Sequence, residues 1–234
     1  MQDTLRPDPH AQIKDEVRKL CAKFPGEYWR RLDRERNYPT EFVTALTEAG
    51  YLGALIPEEY GGAGLPLSAA AAILETVQSE GCSGAACHAQ MYIMGTILRH
   101  GTDAQKTAYL PKIATGELRL QAFGVTEPTS GTDTTSLRTF ARKEGDHYVV
   151  NGQKVWTSRA EHSDLMLLLA RTTPRDQTER RTEGLSTFIV DMREVLGSPP
   201  SRCSTTSVWR ISGLTLEIPA TYLPSHFTRN LKFL

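Results

Sequence analysis

Asp146-His147-Tyr148-Val149-Val150-Asn151-Gly152-Gln153-Lys154-Val155-Trp156 is the stretch that decides the fold class. β-Branched and aromatic residues flank Asn151-Gly152, a dipeptide suited to the positive-φ positions of a type I′ turn. The run therefore reads as a hairpin turning at 151–152. Downstream, Leu165–Arg171 and Leu185–Asp191 are further apolar runs of strand length, separated by a charged loop at 172–183. Upstream, Leu118, Leu120, Ala122 and Gly124 alternate with Arg119, Gln121 and Phe123, the period of a half-buried strand.

Farther upstream the period becomes helical. Ile13, Val17 and Leu20 recur on one face, and a second helix after Pro39-Thr40 uses Phe42, Ala45, Leu46 and Ala49 before stopping at Gly50. Residues 51–66, with Gly61, Gly62 and Gly64, read as a turn-rich link. Alanine-rich Leu67–Ser79 is expected to be a buried helix, and Ala85–His100 another that ends at Gly101. Thr102-Asp103-Ala104-Gln105 fits a capping box opening a helix through Tyr109 that ends near Pro111 or shortly after. Helices first and strands second give an α+β chain with its boundary near 115–120.

Pro199 onwards differs in composition, with four basic residues (Arg202, Arg210, Arg229, Lys232), one acid (Glu217), four prolines and little period outside 214–218. It reads as a poorly organised tail, and the abrupt change predicts a shifted reading frame or a gene remnant.

With 234 residues, 39% hydrophobic and 23% charged, the chain can bury a substantial core without metal or disulfide staples. Lys+Arg and Asp+Glu both number 27, which removes the electrostatic case for a nucleic-acid or polybasic membrane partner. No run approaches the ~20 apolar residues needed to span a bilayer. Residues 1–10 lack the apolar core of a signal peptide. Cys21, Cys82, Cys87 and Cys203 offer no second ligand pair for zinc, so they read as buried thiols of a reducing, cytoplasmic compartment.

Two runs carry candidate chemistry. In Phe123-Gly124-Val125-Thr126-Glu127-Pro128-Thr129-Ser130-Gly131-Thr132-Asp133, Pro128 fixes φ, Gly131 is free to take φ > 0, and the hydroxyls can donate or accept. Such a loop can aim backbone N–H groups at an electron-rich heterocycle or a phosphate, although an ordinary hydrogen-bonded turn has the same composition. Val155-Trp156-Thr157-Ser158 can offer a flat wall and a hydrogen bond to a planar ring, or simply a core tryptophan beside strand threonines. His162-Ser163-Asp164 is not a triad by adjacency alone, and His88 and His100 read as surface or core histidines.

Order and spacing are more specific than either run. Gly53…Ile56-Pro57-Glu58…Tyr60-Gly61-Gly62, then Gln105-Lys106…Tyr109-Leu110-Pro111…Thr115-Gly116-Glu117, Thr126-Glu127-Pro128…Gly131-Thr132-Asp133 and Val150-Asn151-Gly152-Gln153-Lys154…Trp156-Thr157-Ser158 resemble the acyl-CoA dehydrogenase flavoprotein family over roughly residues 10–198. The resemblance implies an all-α amino-terminal domain (1–117), an antiparallel β-domain (118–198) and a divergent tail (199–234), with no counterpart of the family's carboxy-terminal helical bundle.

It also implies FAD as cofactor, lined by Phe123, Gly124, Val125, Thr126, Gly131 and Thr132 from the first run and Trp156, Thr157 and Ser158 from the second. Thr132 would also contact acyl-CoA, and Ser158, where the family usually has Thr, would hydrogen-bond flavin N5. Thr129 stands where a smaller residue is usual. The implied reaction is α,β-dehydrogenation of an acyl-CoA thioester, with an electron-transfer flavoprotein as acceptor and a homotetramer as the family assembly. The family's catalytic glutamate lies in the bundle, so no catalytic residue and no metal ligand is assigned. Acyl-CoA oxidases, flavin monooxygenases and nitroalkane oxidases share the architecture, and a non-catalytic binding or interaction module is the reading from another class.

Overall fold

Residues three and four apart build the helices. The computed structural model describes residues 8–195, 208–217 and 222–223, with side chains over 8–193. The chain forms two units, Met1–Met91 with Pro111–Glu117, and Tyr92–Leu110 with Leu118–Leu234.

In the first unit, α1 (Ala11–Cys21) buries Val17, Leu20 and Cys21 and packs on α4 (Leu67–Ser79), which buries Ala69, Ala70, Ala72, Ile73, Thr76 and Val77. Small side chains on α4 let the two axes approach closely. Helix α3 (Thr40–Glu48) adds Phe42, Val43 and Leu46 and stops at Gly50 with φ +78°. Link 51–66 contains only two short 3₁₀ turns, Tyr51–Gly53 and Glu58–Tyr60.

Helix α2 (Gly26–Glu35) is missing from the sequence reading. None of its residues is fully buried, so it shows no apolar stripe. It docks instead through an edge-to-face aromatic group, with Phe24–Tyr28 and Tyr28–Trp29 centroids 5.1 Å apart and Trp29–Phe42 centroids 5.0 Å apart. Trp29 Nε1 also donates to Phe24 O at 3.0 Å.

Helix α5 spans Ala85–His100, as its periodicity requires. Thr102 and Gln105 form the reciprocal cap of α6 (Asp103–Thr115): Thr102 N donates to Gln105 Oε1 at 2.9 Å and Gln105 N to Thr102 Oγ1 at 3.2 Å. A cap of this kind contributes about 1 kcal/mol. Pro111 does not end α6, which continues to Thr115 although proline supplies no N–H.

The second unit contains a seven-stranded sheet: β1 (Leu120–Gly124), β2 (Phe140–Glu144), β3 (His147–Val155), β4 (Leu165–Arg171), β5 (Leu185–Asp191), β6 (Val208–Glu217) and β7 (Tyr222–Leu223). A short helix, α7 (Met192–Val195), follows β5. The order is β6-β3-β2-β4-β5-β7, with β1 also on β4. Most pairs are antiparallel, as expected, but β1 and β2 both run parallel to β4, so the sheet is mixed. Strands β4 and β5 are buried on both faces, which accounts for their unbroken apolar runs. Met166, Leu168 and Ala170 join Phe188 and Val190 on one side, while Leu169 and Leu185 meet Leu137 on the other.

Two expectations are corrected here. Asn151-Gly152 is not a turn: β3 runs straight through it, with Asn151 opposite Phe140. The hairpin turns at Gly145-Asp146, between the Glu144–His147 pair, where Gly145 has φ +62°. Gly152 lies where the β3–β6 register shifts, and its missing side chain admits Thr139.

Second, the segment read as a poorly organised tail contains β6, antiparallel to β3 from Val155–Val208 to His147–Glu217. Ser212-Gly213 in mid-strand breaks the apolar alternation that would have revealed it.

Cys203, residues 1–7 and the rest of the tail lie outside the described residues. Cys21, Cys82 and Cys87 are buried and unbridged, and burial pushes the Cys21 and Cys87 thiols up to about 12. Among the described residues no helix is long and apolar enough to cross a membrane, and no group of three His, Cys, Asp or Glu could hold a metal ion.

Candidate functional site

Strand β1 delivers the first run to the edge of the second unit. A Cβ on Gly124 would lie 3.1 Å from Met166 Sδ and 3.2 Å from Leu168 Cδ1, so the strand's last residue must be small. Phe123 is half-buried, its ring centroid 6.1 Å from that of Tyr92. Val125 and Thr126 then run beside the end of β3, where Val155 N donates to Thr126 O at 2.9 Å. That bond brings the two candidate runs together.

Beyond Thr126 the chain turns tightly. Glu127 N donates to Ser130 O at 2.9 Å and Ser130 N to Glu127 O at 3.1 Å, leaving Pro128 and Thr129 exposed at the tip. Ser130 Oγ donates to Asp133 O at 2.6 Å. Gly131 and Thr132 are exposed. Gly131 does not use the left-handed region open to it, and no atom lies within 4 Å of where its Cβ would be. Its lack of a side chain therefore serves nothing inside the described chain.

Asp133 holds the next turn. Its carboxylate accepts from Thr135 N at 3.2 Å, Thr135 Oγ1 at 2.5 Å and Ser136 Oγ at 2.5 Å, and it pairs with Arg181. The hydroxyl bonds from Ser136 and Thr135, helped by Arg181, push its pKa down to about 2. A carboxyl depressed below its ordinary 3.8 stabilises the fold above that value and ceases to do so as pH falls through about 2. Acid titration followed by NMR is expected to find the Asp133 carboxyl ionised at pH 3, with the 134–136 turn and the Arg181 contact released only below that. An ordinary carboxylate titration at this position would refute the arrangement.

Arg171, buried at the end of β4, donates from Nη1 to Glu183 O at 3.1 Å and from Nη2 to Thr135 O at 2.7 Å. It ties the charged loop to the same turn.

The second run begins where β3 ends. Trp156 has φ +61° and its residue surface is 61% exposed, an unusual state for a large apolar side chain. A non-glycine residue in this region costs roughly 1 kcal/mol, and such outliers concentrate where function holds them. Thr157 is buried, with its Oγ1 lacking a partner among the described residues, while Ser158 is exposed. Arg159, also left-handed at φ +58°, leads into the 3₁₀ turn Ala160–His162.

Ser163 and Asp164 serve the backbone: Ser163 Oγ accepts from Gln121 N at 3.3 Å, and Asp164 Oδ2 from Arg119 N at 2.7 Å. They are structural rather than part of a triad.

Two residues quoted in the motifs but given no role lie beneath the edge. Lys154, with a fully buried side chain, donates from Nζ to Glu127 Oε1 at 2.9 Å and to Val125 O at 2.9 Å. Glu127 also accepts from Arg138 N at 2.6 Å and Thr139 N at 2.9 Å. Burial acts to raise the Glu127 carboxyl, but these hydrogen bonds outweigh it and hold the pKa below the usual range. Burial draws the Lys154 ammonium down, with Glu127 opposing. Sequence alone could show both ionisable groups in strand-rich surroundings but not their pairing across 27 positions.

The arrangement is an open edge: hydroxyl-bearing Thr126 and Ser158 and an exposed indole on the segments that follow β1 and β3, with Gly131 beyond the 127–130 turn.

Comparison with known proteins agrees with this fold. Residues 7–117 match the model described as acyl-CoA dehydrogenase, N-terminal domain, and residues 122–208 the model for the acyl-CoA dehydrogenase, middle domain. The middle-domain match runs ten residues past Ser198, where the sequence reading ended the resemblance. Glutaryl-CoA dehydrogenase of Desulfococcus multivorans is 34% identical over 190 residues, 79% of this chain and 48% of that protein. (2S)-Methylsuccinyl-CoA dehydrogenase of Cereibacter sphaeroides is 42% identical over 184 residues, 76% of this chain and 32% of that one. A glutaryl-coenzyme A dehydrogenase structure superposes with a TM-score of 0.77 at 28% identity, covering 91% of this chain and 56% of the other. The chain thus spans about half the length, or less, of these relatives. Two consecutive domain matches and the shared architecture make this chain a member of the acyl-CoA dehydrogenase family.

Proposed function

We propose that the edge formed by Val125–Thr126 and Trp156–Ser158 binds the flavin of FAD, in an oxidoreductase that introduces a double bond α,β to an acyl-CoA thioester. The observation that carries this reading is the 2.9 Å bond from Val155 N to Thr126 O, which sets both runs along one edge. The residues present fit the cofactor. An indole turned to solvent offers a flat wall, Ser158 and Thr126 offer hydroxyls, Gly131 leaves open space, and the Thr157 hydroxyl is buried without a partner among the described residues.

When bound, FAD supplies the two-electron acceptor. This chain's residues would bind and orient it, with Thr126 assigned to the pyrimidine edge, Ser158 to N5, Trp156 to the ring and Thr132 to the acyl-CoA. The two carboxylates of the first run are not free to take an α-proton, because Glu127 is buried in an ion pair and Asp133 is engaged by Thr135, Ser136 and Arg181. In this reading the base would belong to the part of the family fold beyond the two matched domains, and an electron-transfer flavoprotein would serve as the electron acceptor.

Titrating the purified chain with FAD tests the reading. Quenched flavin fluorescence and a resolved shoulder on the visible absorption band are expected, both weakened by Ser158→Ala. Free-flavin spectra at every protein concentration would refute it.

A further inference from the structure

We infer that Glu127 and Lys154 are positioning residues that fix the spacing between the two halves of the flavin-facing edge; the inference rests on the function proposed above. Neither side chain is on the open edge, so neither is offered as a cofactor contact. Their side chains are 4% and 0% exposed respectively.

Successive residues of β3 and its end grip successive residues of the loop. Lys154 Nζ donates to Val125 O, and Val155 N donates to Thr126 O, both at 2.9 Å. The next residue on one side is Trp156 and on the other Glu127, whose carboxylate closes the ring by accepting from Lys154. A two-point clamp of this kind leaves the loop no freedom to slide along β3. Glu127 extends the hold to the following segment through the Arg138 and Thr139 N–H groups.

Stability alone does not account for the choice of residues. Taking two charges out of water costs several kcal/mol per ion, and well-packed apolar residues commonly replace such a pair without loss. An apolar pair would, however, leave Val125 O without a donor and the Arg138 and Thr139 N–H groups without an acceptor. The ion pair is thus suited to holding backbone groups in place. The lysine stem is itself hemmed in, its Cγ 3.6 Å from where a Cβ on Gly124 would lie.

The test uses the full chain with Lys154→Met and the double variant Glu127→Gln/Lys154→Met, in which no charge is left unpaired. Amide hydrogen exchange is read at Val155, with Leu167 in β4 as reference, alongside FAD titration and the shape of the flavin band. In the double variant, Val155 protection relative to Leu167 is expected to fall about tenfold, the loss of one charge-assisted hydrogen bond. FAD affinity is expected to fall by a similar factor, with the visible band shifted towards that of free flavin.

If the double variant keeps wild-type protection at Val155 and wild-type FAD affinity, the pair is only filling and the inference is overturned. If Lys154→Met alone fails to fold, the double variant still decides. If the wild-type chain does not perturb flavin at all, the proposed function fails, while the exchange result still settles the positioning role.

Discussion

Gly152→Ala is expected to cost about 3 kcal/mol or more, the upper end for forcing an atom into a filled site. A Cβ there would lie 2.3 Å from Thr139 Oγ1 and 2.6 Å from Thr139 Cα, so the backbone as well as a side chain must move. Thr139 cannot easily retreat. Its N–H is held by Glu127 Oε1 at 2.9 Å and its carbonyl accepts from Arg171 N at 2.8 Å. Displacing it disturbs the Glu127 carboxylate and the Phe140–Arg171 pair that joins β2 to β4. Urea denaturation measures the cost. A loss below about 1 kcal/mol, within the ordinary range of single substitutions, would mean that Thr139 moves aside and Gly152 is not required.

The second large effect belongs to the other unit. Phe42→Ala is expected to destabilise by about 3–5 kcal/mol, as for other fully buried aromatic truncations. Phe42 is completely buried, with its ring edge-on to Phe24 at 5.1 Å and to Trp29 at 5.0 Å. α2 has no buried residue of its own, and Phe42 is one of the core side chains on which its Trp29 packs. Near-ultraviolet circular dichroism and Trp29 emission are expected to change together with the denaturation midpoint. Phe42→Leu, which refills part of the cavity, is expected to recover part of the loss. Against a typical total of 5–15 kcal/mol, either substitution removes a large share of stability.

Several periodic elements were legible from sequence, although β1 begins at Leu120 rather than about Leu118 and α6 runs on to Thr115. Leu67–Ser79, Ala85–His100, Leu165–Arg171 and Leu185–Asp191 have the bounds their patterns set. They are buried on a stripe or on both faces, so composition reports structure directly. Helix α2 was not legible because its docking rests on three or four aromatic rings rather than a stripe. The Asn151-Gly152 reading failed for a physical reason: local turn propensity applies equally to Gly145-Asp146, and only the long-range demand for space beside Thr139 separates them.

At the candidate site, the residues named from sequence lie on two stretches that share a backbone hydrogen bond. The Glu127–Lys154 pair beneath them was invisible because burial and pairing are properties of the fold, not of the motif.

The sharing of one β4 edge by two strands has a kinetic consequence. β2–β3 and β4–β5 are antiparallel pairs of neighbouring strands, joined through residues 145–146 and 172–184, and closing loops of this size is fast. β1 must instead find β4 in parallel, Leu120 meeting Leu165 across a separation of some 45 residues, and parallel non-local pairing is slow. The loop at 125–127 follows β1 directly, so its anchoring waits for that late insertion. Refolding followed by pulsed deuterium labelling should therefore show β4 and β5 protected early, with protection at Val155, the residue that meets Thr126, arriving last.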